Sequence, residues 1–327
     1  MSGTFPNRLR RGTGNDSNQE GRGFGMAKSP NGRQSRLRLR EALAGYTFMT
    51  PVVLILGLFM LLPILYAIFL SFHKVNLLGS VSYKFAGTAN FERMLDDARL
   101  WIALRNTAKY ALIVVPCQTL LALVLAAILN MKIKFRNFFR VAYYLPTVTS
   151  SAVLVLIFMW IYNSNGLLNH LLELAGLPTY NWLGDPAVAL TGIMLMNIWS
   201  TAPLYMVIYL AAMQDIPESQ YEAAAIDGAN AWTKFWRITV PQLKPVTFYV
   251  VVMGIIGTFQ LFDQSYIFSA GSGGPNNATL TMVLLIYQYA FKNLDMGYAS
   301  ALAFVLAVVI MLITVVQRLI FKEEKLN

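Results

Sequence analysis

Residues 222–241 read EAAAIDGANAWTKFWRITVP, a polar-containing interval between two strongly apolar stretches. Almost any polar sequence can join two membrane helices, yet this one has a definite pattern. Pro217 sits where the first turn of a helix tolerates proline, and Glu218, Glu222 and Ala223–Ala225 follow with good helix propensity. Acids near that end also suit the helix dipole. Asp227-Gly228 then supplies a break. From Ala231 to Ile238 a second run places Trp232, Phe235 and Trp236 at spacings of three and four, on one face. Pro241 and Pro245 keep that run from passing unbroken into the next apolar segment. Two roles fit such a pair of short helices. It is a compact knob, offering small Ala residues with Glu222 and Asp227 to a partner, or it is an amphipathic hairpin lying on a membrane with its aromatics among the headgroups.

The flanking sequence identifies the membrane. The chain is 56% hydrophobic with a mean hydropathy of +0.52, and only 13% of it is charged, against about 25% in a soluble domain. Gly45–Phe72, Tyr110–Met131, Pro186–Gln214 and Gly297–Gln317 carry no formal charge, and each is long enough to cross a hydrocarbon core of about 30 Å as a helix. The pattern predicts an all-α, polytopic membrane protein with six transmembrane helices, at about 45–71, 107–129, 141–162, 187–213, 246–269 and 298–320. The third ends near Asn163-Ser164-Asn165-Gly166, four turn-favouring residues. The fifth is interrupted by Asp263. Residues 281–291, TMVLLIYQYAF, are apolar but too short to span. They read as an interfacial or re-entrant helix on the outer side, with a seventh span as the alternative. Pro51, Pro63, Pro116, Pro146 and Pro203 fall in or beside the spans, where a helix bundle can satisfy the carbonyls they free.

Charge sets the orientation. The 130–140 connector carries Lys132, Lys134, Arg136 and Arg140 with no acid, whereas the 163–186 connector has only Glu173 and Asp185. Lys234, Arg237 and Lys244 mark the 214–244 connector, and Arg318, Lys322 and Lys325 the C-terminus. Positive residues favour the cytoplasm, so both ends lie inside, which requires an even number of spans. The tail, residues 1–42, is basic and reads as disordered and cytoplasmic: nine basic residues against three acids supply +6 of the net charge of +10. The excess marks topology rather than a nucleic-acid partner. No small-residue cleavage site follows the first apolar run, so it does not read as a signal peptide. Cys117 is alone, and His73 and His170 stand far apart, which argues against a disulfide framework or a metal site.

The residues from Glu222 to Pro245 match the EAA signature of the inner-membrane subunits of binding-protein-dependent ABC importers. The match runs through Glu222, Ala223, Ala224, Asp227, Gly228, Ala229, Phe235, Ile238, Pro241 and Pro245, with Val240 where leucine is usual. FFRVAYYLPTVTSSAVLVLIFMWIYNSNGLLN and GSGGPNNATLTMVLLIYQYAF extend the likeness, which covers nearly all of residues 43–322 and is nearest to the MalF/UgpA-type permeases of sugar importers. Gly271-Ser272-Gly273-Gly274-Pro275 carries a serine inside the usual glycine run. The resemblance implies a MetI/MalF-like permease domain over residues 43–322, with its coupling loop at about 214–245 and residues 323–327 as a cytoplasmic C-terminus. It implies a bacterial inner-membrane location and an importer of a sugar, oligosaccharide or glycerol-phosphate-like solute. The implied partners are a second homologous permease, two cytoplasmic ATPase subunits and an extracytoplasmic solute-binding protein. ATP and Mg would belong to the ATPases, because GxxxxGK[ST] does not occur here. No cofactor, metal or catalytic residue is expected of this chain.

A secondary transporter, a membrane-embedded enzyme or a structural subunit would also place polar groups in the spans, but none needs an ATPase-docking knob. Asn197, Trp199 and Tyr205 on the fourth span and Phe259, Gln260 and Asp263 on the fifth are the candidate solute pathway. Amides bond hydroxyls and aromatics stack on sugar C–H faces, although the same residues serve equally as interhelical packing. The six-span reading has a direct check. Tags at either terminus should report from the cytoplasm and a tag near Gly166 from the other side; a C-terminal tag outside would overturn it.

Overall fold

A computed structural model describes residues 32–76, 81–131 and 134–323. The expectations for residues 1–31, for Lys132 and for 324–327 lie outside the described residues. The chain divides into two compact units at Leu61/Leu62. The first holds α1 (Gly32–Leu56) and a π-helical turn at Gly57–Leu61. Helix therefore begins within the stretch assigned to the basic tail, because RLRLREALAG is rich in strong helix formers. Farther on, the hydroxyls of Thr47 and Thr50 donate to the carbonyls of Leu43 and Tyr46 at 2.8 and 2.7 Å, so neither is left bare in an apolar segment.

The second unit opens with α2 (Leu62–Ser71) and an antiparallel hairpin, β1 (His73–Asn76) on β2 (Ser82–Phe85). This hairpin departs from the all-helical expectation, since its eight residues lack strict apolar alternation and sit beside a span. Then come α3 (Ala89–Asp96), α4 (Ala98–Asn130), α5 (Arg136–Val148), α6 (Ser151–Ile161), α7 (Leu167–Leu174) and α8 (Ala189–Gln214). The short helices α9 (Glu218–Ile226), α10 (Ala231–Lys234) and α11 (Val240–Gln242) lead into α12 (Lys244–Phe259), α13 (Asp263–Phe268), α14 (Met282–Tyr287) and α15 (Met296–Glu323).

Five helical stretches among the described residues are long and apolar enough to cross a membrane: Arg40–Ser71, Ala98–Asn130, Ala189–Gln214, Lys244–Phe268 and Met296–Ile320. The sixth, expected as one span over 141–162, is instead the pair α5–α6, bent by 99°. Its cause is local. Pro146 removes an amide from the last turn of α5, and Thr149-Ser150-Ser151 favours caps over continuation; Thr149 is extended and its hydroxyl donates back to the Leu145 carbonyl at 3.0 Å. The fifth span breaks as well, at Gln260–Phe262, and Asp263 opens the first turn of α13 rather than closing a helix.

Of the two readings of 281–291, interfacial or re-entrant, burial favours the second: Met282, Leu284 and Leu285 of α14 are buried in a cluster with Tyr298 and Leu302 of α15 and Ala103 of α4. A loop stapled at several points holds it there. Asn106 Nδ2 donates to the carbonyls of Asn277 and Leu280 at 2.8 and 3.0 Å, and Lys292 Nζ donates to that of Gly271 at 2.7 Å.

At the same end, the Asp97 carboxylate accepts from Tyr289 and Tyr298 hydroxyls, both at 2.8 Å, and caps α4 through the Arg99 amide at 2.9 Å. Burial alone would raise its pKa; the hydrogen bonds from Tyr298, Tyr289 and the amide outweigh burial and hold it below the usual carboxylate range. Its stabilisation is therefore present above the ordinary carboxylate pKa and fades as pH falls through the lowered one. Arg93 pairs with Asp295 at 2.6 Å and lies 4.1 Å over the Tyr298 ring.

Gly297 makes the closest helix–strand approach of this region. A Cβ there would lie 2.0 Å from the His73 carbonyl oxygen, so Gly297→Ala must part α15 from β1. The expected cost is about 1–3 kcal/mol, read as a lower thermal midpoint of the purified protein in detergent. An unchanged midpoint would refute this contact.

Candidate functional site

The loop between α8 and α12 is a helix–turn–helix built from its own sequence. α9 ends at Asp227; the Gly228 amide donates to the Ala225 carbonyl (3.1 Å) and the Ala229 amide to that of Ala224 (2.9 Å). That closure requires a left-handed residue, and Gly228 supplies it at φ +76°. Asn230 starts the second helix by accepting from the Thr233 amide at 2.8 Å. A π-turn at Phe235–Thr239 lets the Val240 amide reach the Phe235 carbonyl just before Pro241, which has no amide to donate. The break foreseen between the prolines falls at Leu243.

Side chains then tie the two arms. The Tyr221 and Thr239 hydroxyls are 2.8 Å apart, and Gln242 Nε2 donates to Gln220 Oε1. Phe235 packs inward against the cluster of Tyr205, Met206 and Tyr209. Trp232 and Trp236 stay exposed, edge to face at 5.6 Å. Glu222, Asp227, Gly228 and Pro241 are exposed, Ala224, Ala229 and Ile238 half-buried, and the Glu222 and Asp227 carboxylates have no side-chain bond among the described residues. Ile226, at the tip, is 88% exposed. Sequence reading passed over it, although an isoleucine beside an Asp-Gly turn has no interior to enter.

The candidate pathway residues divide. Asn197, Gln260 and Asp263 come together around a cavity of about 230 Å³, with Ser151, Gly257, Leu261, Phe262 and Gln264. Both helix breaks meet there, Ser151 from the α5–α6 bend and residues 260–263 from the α12–α13 bend. Trp199 is elsewhere, tilted against Phe158 with ring centres 5.5 Å apart, in an apolar cleft of about 460 Å³. Tyr205 and Phe259 are buried in packing clusters.

A partly buried polar chain supports the cavity wall. Gln264 Oε1 accepts from Asn197 Nδ2 at 3.0 Å, and the Tyr110 hydroxyl stands 3.4 Å from the same oxygen. The Thr201 hydroxyl lies 2.7 Å from both Gln118 Oε1 and the Asn197 carbonyl. Gln118, Thr201 and Gln264 were missed, yet the signal was present: Asn197 and Thr201, like Gln260 and Gln264, are polar pairs four residues apart inside apolar segments. Among the described residues no group of three or more His, Cys, Asp and Glu side chains is placed to hold a metal ion.

Residues 118–324 match the family model described as binding-protein-dependent transport system inner membrane component. The chain is 35% identical over 296 residues to the lactose transport system permease protein LacF of Rhizobium radiobacter, an alignment covering 89% of this chain and 98% of that one. It is 32% identical over 287 residues to the trehalose/maltose transport system permease protein MalF of Thermococcus litoralis, covering 88% and 96%. Among solved structures, a bacterial ABC transporter involved in the import of the acidic polysaccharide alginate superposes with a TM-score of 0.70 at 21% identity, covering 89% of this chain and 99% of that one. That likeness shows the fold.

The cross-brace of the helix–turn–helix can be tested by itself. Tyr221→Phe leaves the largely buried Thr239 hydroxyl without its partner, a loss of about 1 kcal/mol. Amide exchange across Glu218–Ile226 should then quicken roughly fivefold if local opening governs it. Exchange at the parent rate would show that the arms are held by packing alone.

Proposed function

The chain belongs to the binding-protein-dependent transport system inner membrane components, and from that premise we propose how this permease subunit of an ATP-driven importer divides its work. The hairpin from Glu218 to Gln242 is the ATPase-docking element, and the cavity at the two helix breaks lies on the solute's route. The observation that carries the first assignment is the hairpin's construction. It is braced internally by Tyr221–Thr239 and Asn230 while Glu222, Asp227 and Ile226 are left outward and unused. A rigid element with unpaired charge and an exposed apolar tip suits insertion into a partner's cleft.

The second assignment rests on the cost of breaking a helix in hydrocarbon, where irregular backbone is tolerated only beside protein or a water-filled cavity. Amides, a serine and one acid line the cavity, with no Lys or Arg among the described residues around it. That favours a neutral carbohydrate over a phosphate ester, in keeping with relatives named for lactose and for trehalose/maltose. Within the family we assign the chain to the MalF/UgpA type. It works beside a second, distinct permease and two ATPase subunits, receives solute from an extracytoplasmic binding protein, and keeps both termini in the cytoplasm. ATP hydrolysis is the ATPases' chemistry; this chain converts their closure into helix movement.

Reconstitution with the partner subunits tests both parts. Gly228→Val forces a β-branched residue into a left-handed backbone position, a strain of about 1–3 kcal/mol. It should uncouple uptake from ATP hydrolysis while leaving membrane insertion intact, and Glu222→Ala should weaken ATPase association. Normal coupling in both, at equal complex abundance, would leave the hairpin as a surface element on the bilayer. Removing the amide of Asn197 or Gln260 should raise the transport KM about tenfold if either bonds the solute; an unchanged KM would return both to packing.

A further inference from the structure

We propose that Gln264 is a positioning residue that latches the cavity shut: one side-chain oxygen holds α8 and α4 against α13, and solute passage requires its release. The inference rests on the pathway reading of this cavity and adds a residue and a resting state to it.

The geometry is specific. Asn197 is the pathway amide on α8, and its Nδ2 donates to Gln264 Oε1 at 3.0 Å. Tyr110 of α4, fully buried, brings its hydroxyl to 3.4 Å from that oxygen, the weaker of the two contacts. Gln264 itself lines the cavity beside Asn197 and Gln260. Hence one of the two N–H donors of the Asn197 amide that would meet a hydroxylated solute is occupied.

The latch also sits beside a break in the fifth span. α13 is six residues long and is separated from α12 by Gln260–Phe262, where Phe262 adopts φ −131°, ψ −65°. A small rotation of α13 about this break withdraws Oε1 from both donors together. The opposite wall is firm, because Thr201 ties α8 to Gln118 of α4, and a Cβ on Gly254 of α12 would lie 2.6 Å from Gln118 Nε2. α4, α8 and α12 are thus bound closely to one another, while α13 meets α8 and α4 through the packing of Phe268 and, at the cavity, through the one acceptor on Gln264. Solute hydroxyls can take over the Asn197 donor, so arrival of solute itself favours release.

The test uses the assembled importer in proteoliposomes, with Cys117→Ser removing the chain's one cysteine. Gly257→Cys places a thiol on the cavity wall, where an added Cβ meets nothing within 4 Å. A small methanethiosulfonate reagent, followed by the mass of this chain, reads cavity opening without ATP or solute. Gln264→Leu should speed labelling roughly five- to tenfold, the shift expected for about one hydrogen bond, and raise ATP hydrolysis without the binding protein. Gln264→Glu, which keeps an acceptor oxygen, should label near the parent rate.

Equal rates for Gln264→Leu and its parent at equal complex abundance would overturn the latch. So would equally fast labelling of the Leu and Glu variants, since shape rather than the acceptor would then matter. Should Gln264→Leu not assemble, Asn197→Leu, which removes the facing donor, is judged by the rate criterion in its place. Protection of the parent thiol by solute-loaded binding protein reads the pathway separately. Protection without faster labelling keeps the route and removes the latch; faster labelling without protection overturns the route.

Discussion

Hydrocarbon offers no partner for a bare amide or carbonyl, and the second unit of this protein is arranged around that constraint. Its long helices satisfy their own backbone. Where two of them break, at Thr149–Ser150 and at Gln260–Phe262, the ends turn toward the same polar cavity. Side chains meet part of the cost. Thr149 returns its hydroxyl to α5, and the Thr281 hydroxyl donates to the Leu261 carbonyl at 2.9 Å. One break could be an accident of Pro146. Two breaks converging on Asn197 make, in the proposed reading, a place where polar cargo can stand in for water.

The ends of the helices are stabilised differently. At the end carrying the α14 region, charge and aromatic rings are packed together: Asp97 under two tyrosine hydroxyls, and Arg93 between Asp295 and the Tyr298 ring. At the other end the hairpin is bonded mainly to itself, and its charged residues Glu222 and Asp227 face outward. The α14 end therefore gains rigidity from its contacts within the chain. The hairpin's exposed surface is left for contacts the chain does not supply.

Much of this was legible from the residues alone, for identifiable reasons. Apolar length gave the spans, and the Gly228 turn was readable because Asp-Gly after an alanine run has few other uses. The α5–α6 bend was not legible. Pro146 lies in an apolar stretch like Pro116 and Pro203, which sit inside helices without a comparable break; the difference is the following Thr-Ser-Ser. For the α14 region the residues left interfacial and re-entrant readings both open, because its burial depends on contacts with α4 and α15, far away in sequence. Of the pathway residues, the three with amide or carboxylate side chains meet at the cavity and the three aromatics do not. A polar group inside a span needs a polar destination, whereas an aromatic ring is equally at home in packing or facing lipid.

The two proposed sites are joined by the helices that flank the hairpin. α8 and α12 leave its two arms directly, and these are the helices that carry Asn197 and the break at Gln260. Near the hairpin they are fastened to each other by the Tyr209 and Thr247 hydroxyls at 2.9 Å; farther along, both press on Gln118 of α4, one through Thr201 and the other through Gly254. A push on the hairpin therefore cannot be absorbed by sliding one helix freely along the other. It travels as a tilt of the fastened pair, and the first compliant point it meets is the interruption after Phe259. In the proposed cycle that is where movement driven by ATP becomes a change in the cavity. Among the described residues, Gln264 couples α13 to the tilting pair through a bond at the cavity itself, which is why so small a contact can decide whether the cavity stays closed.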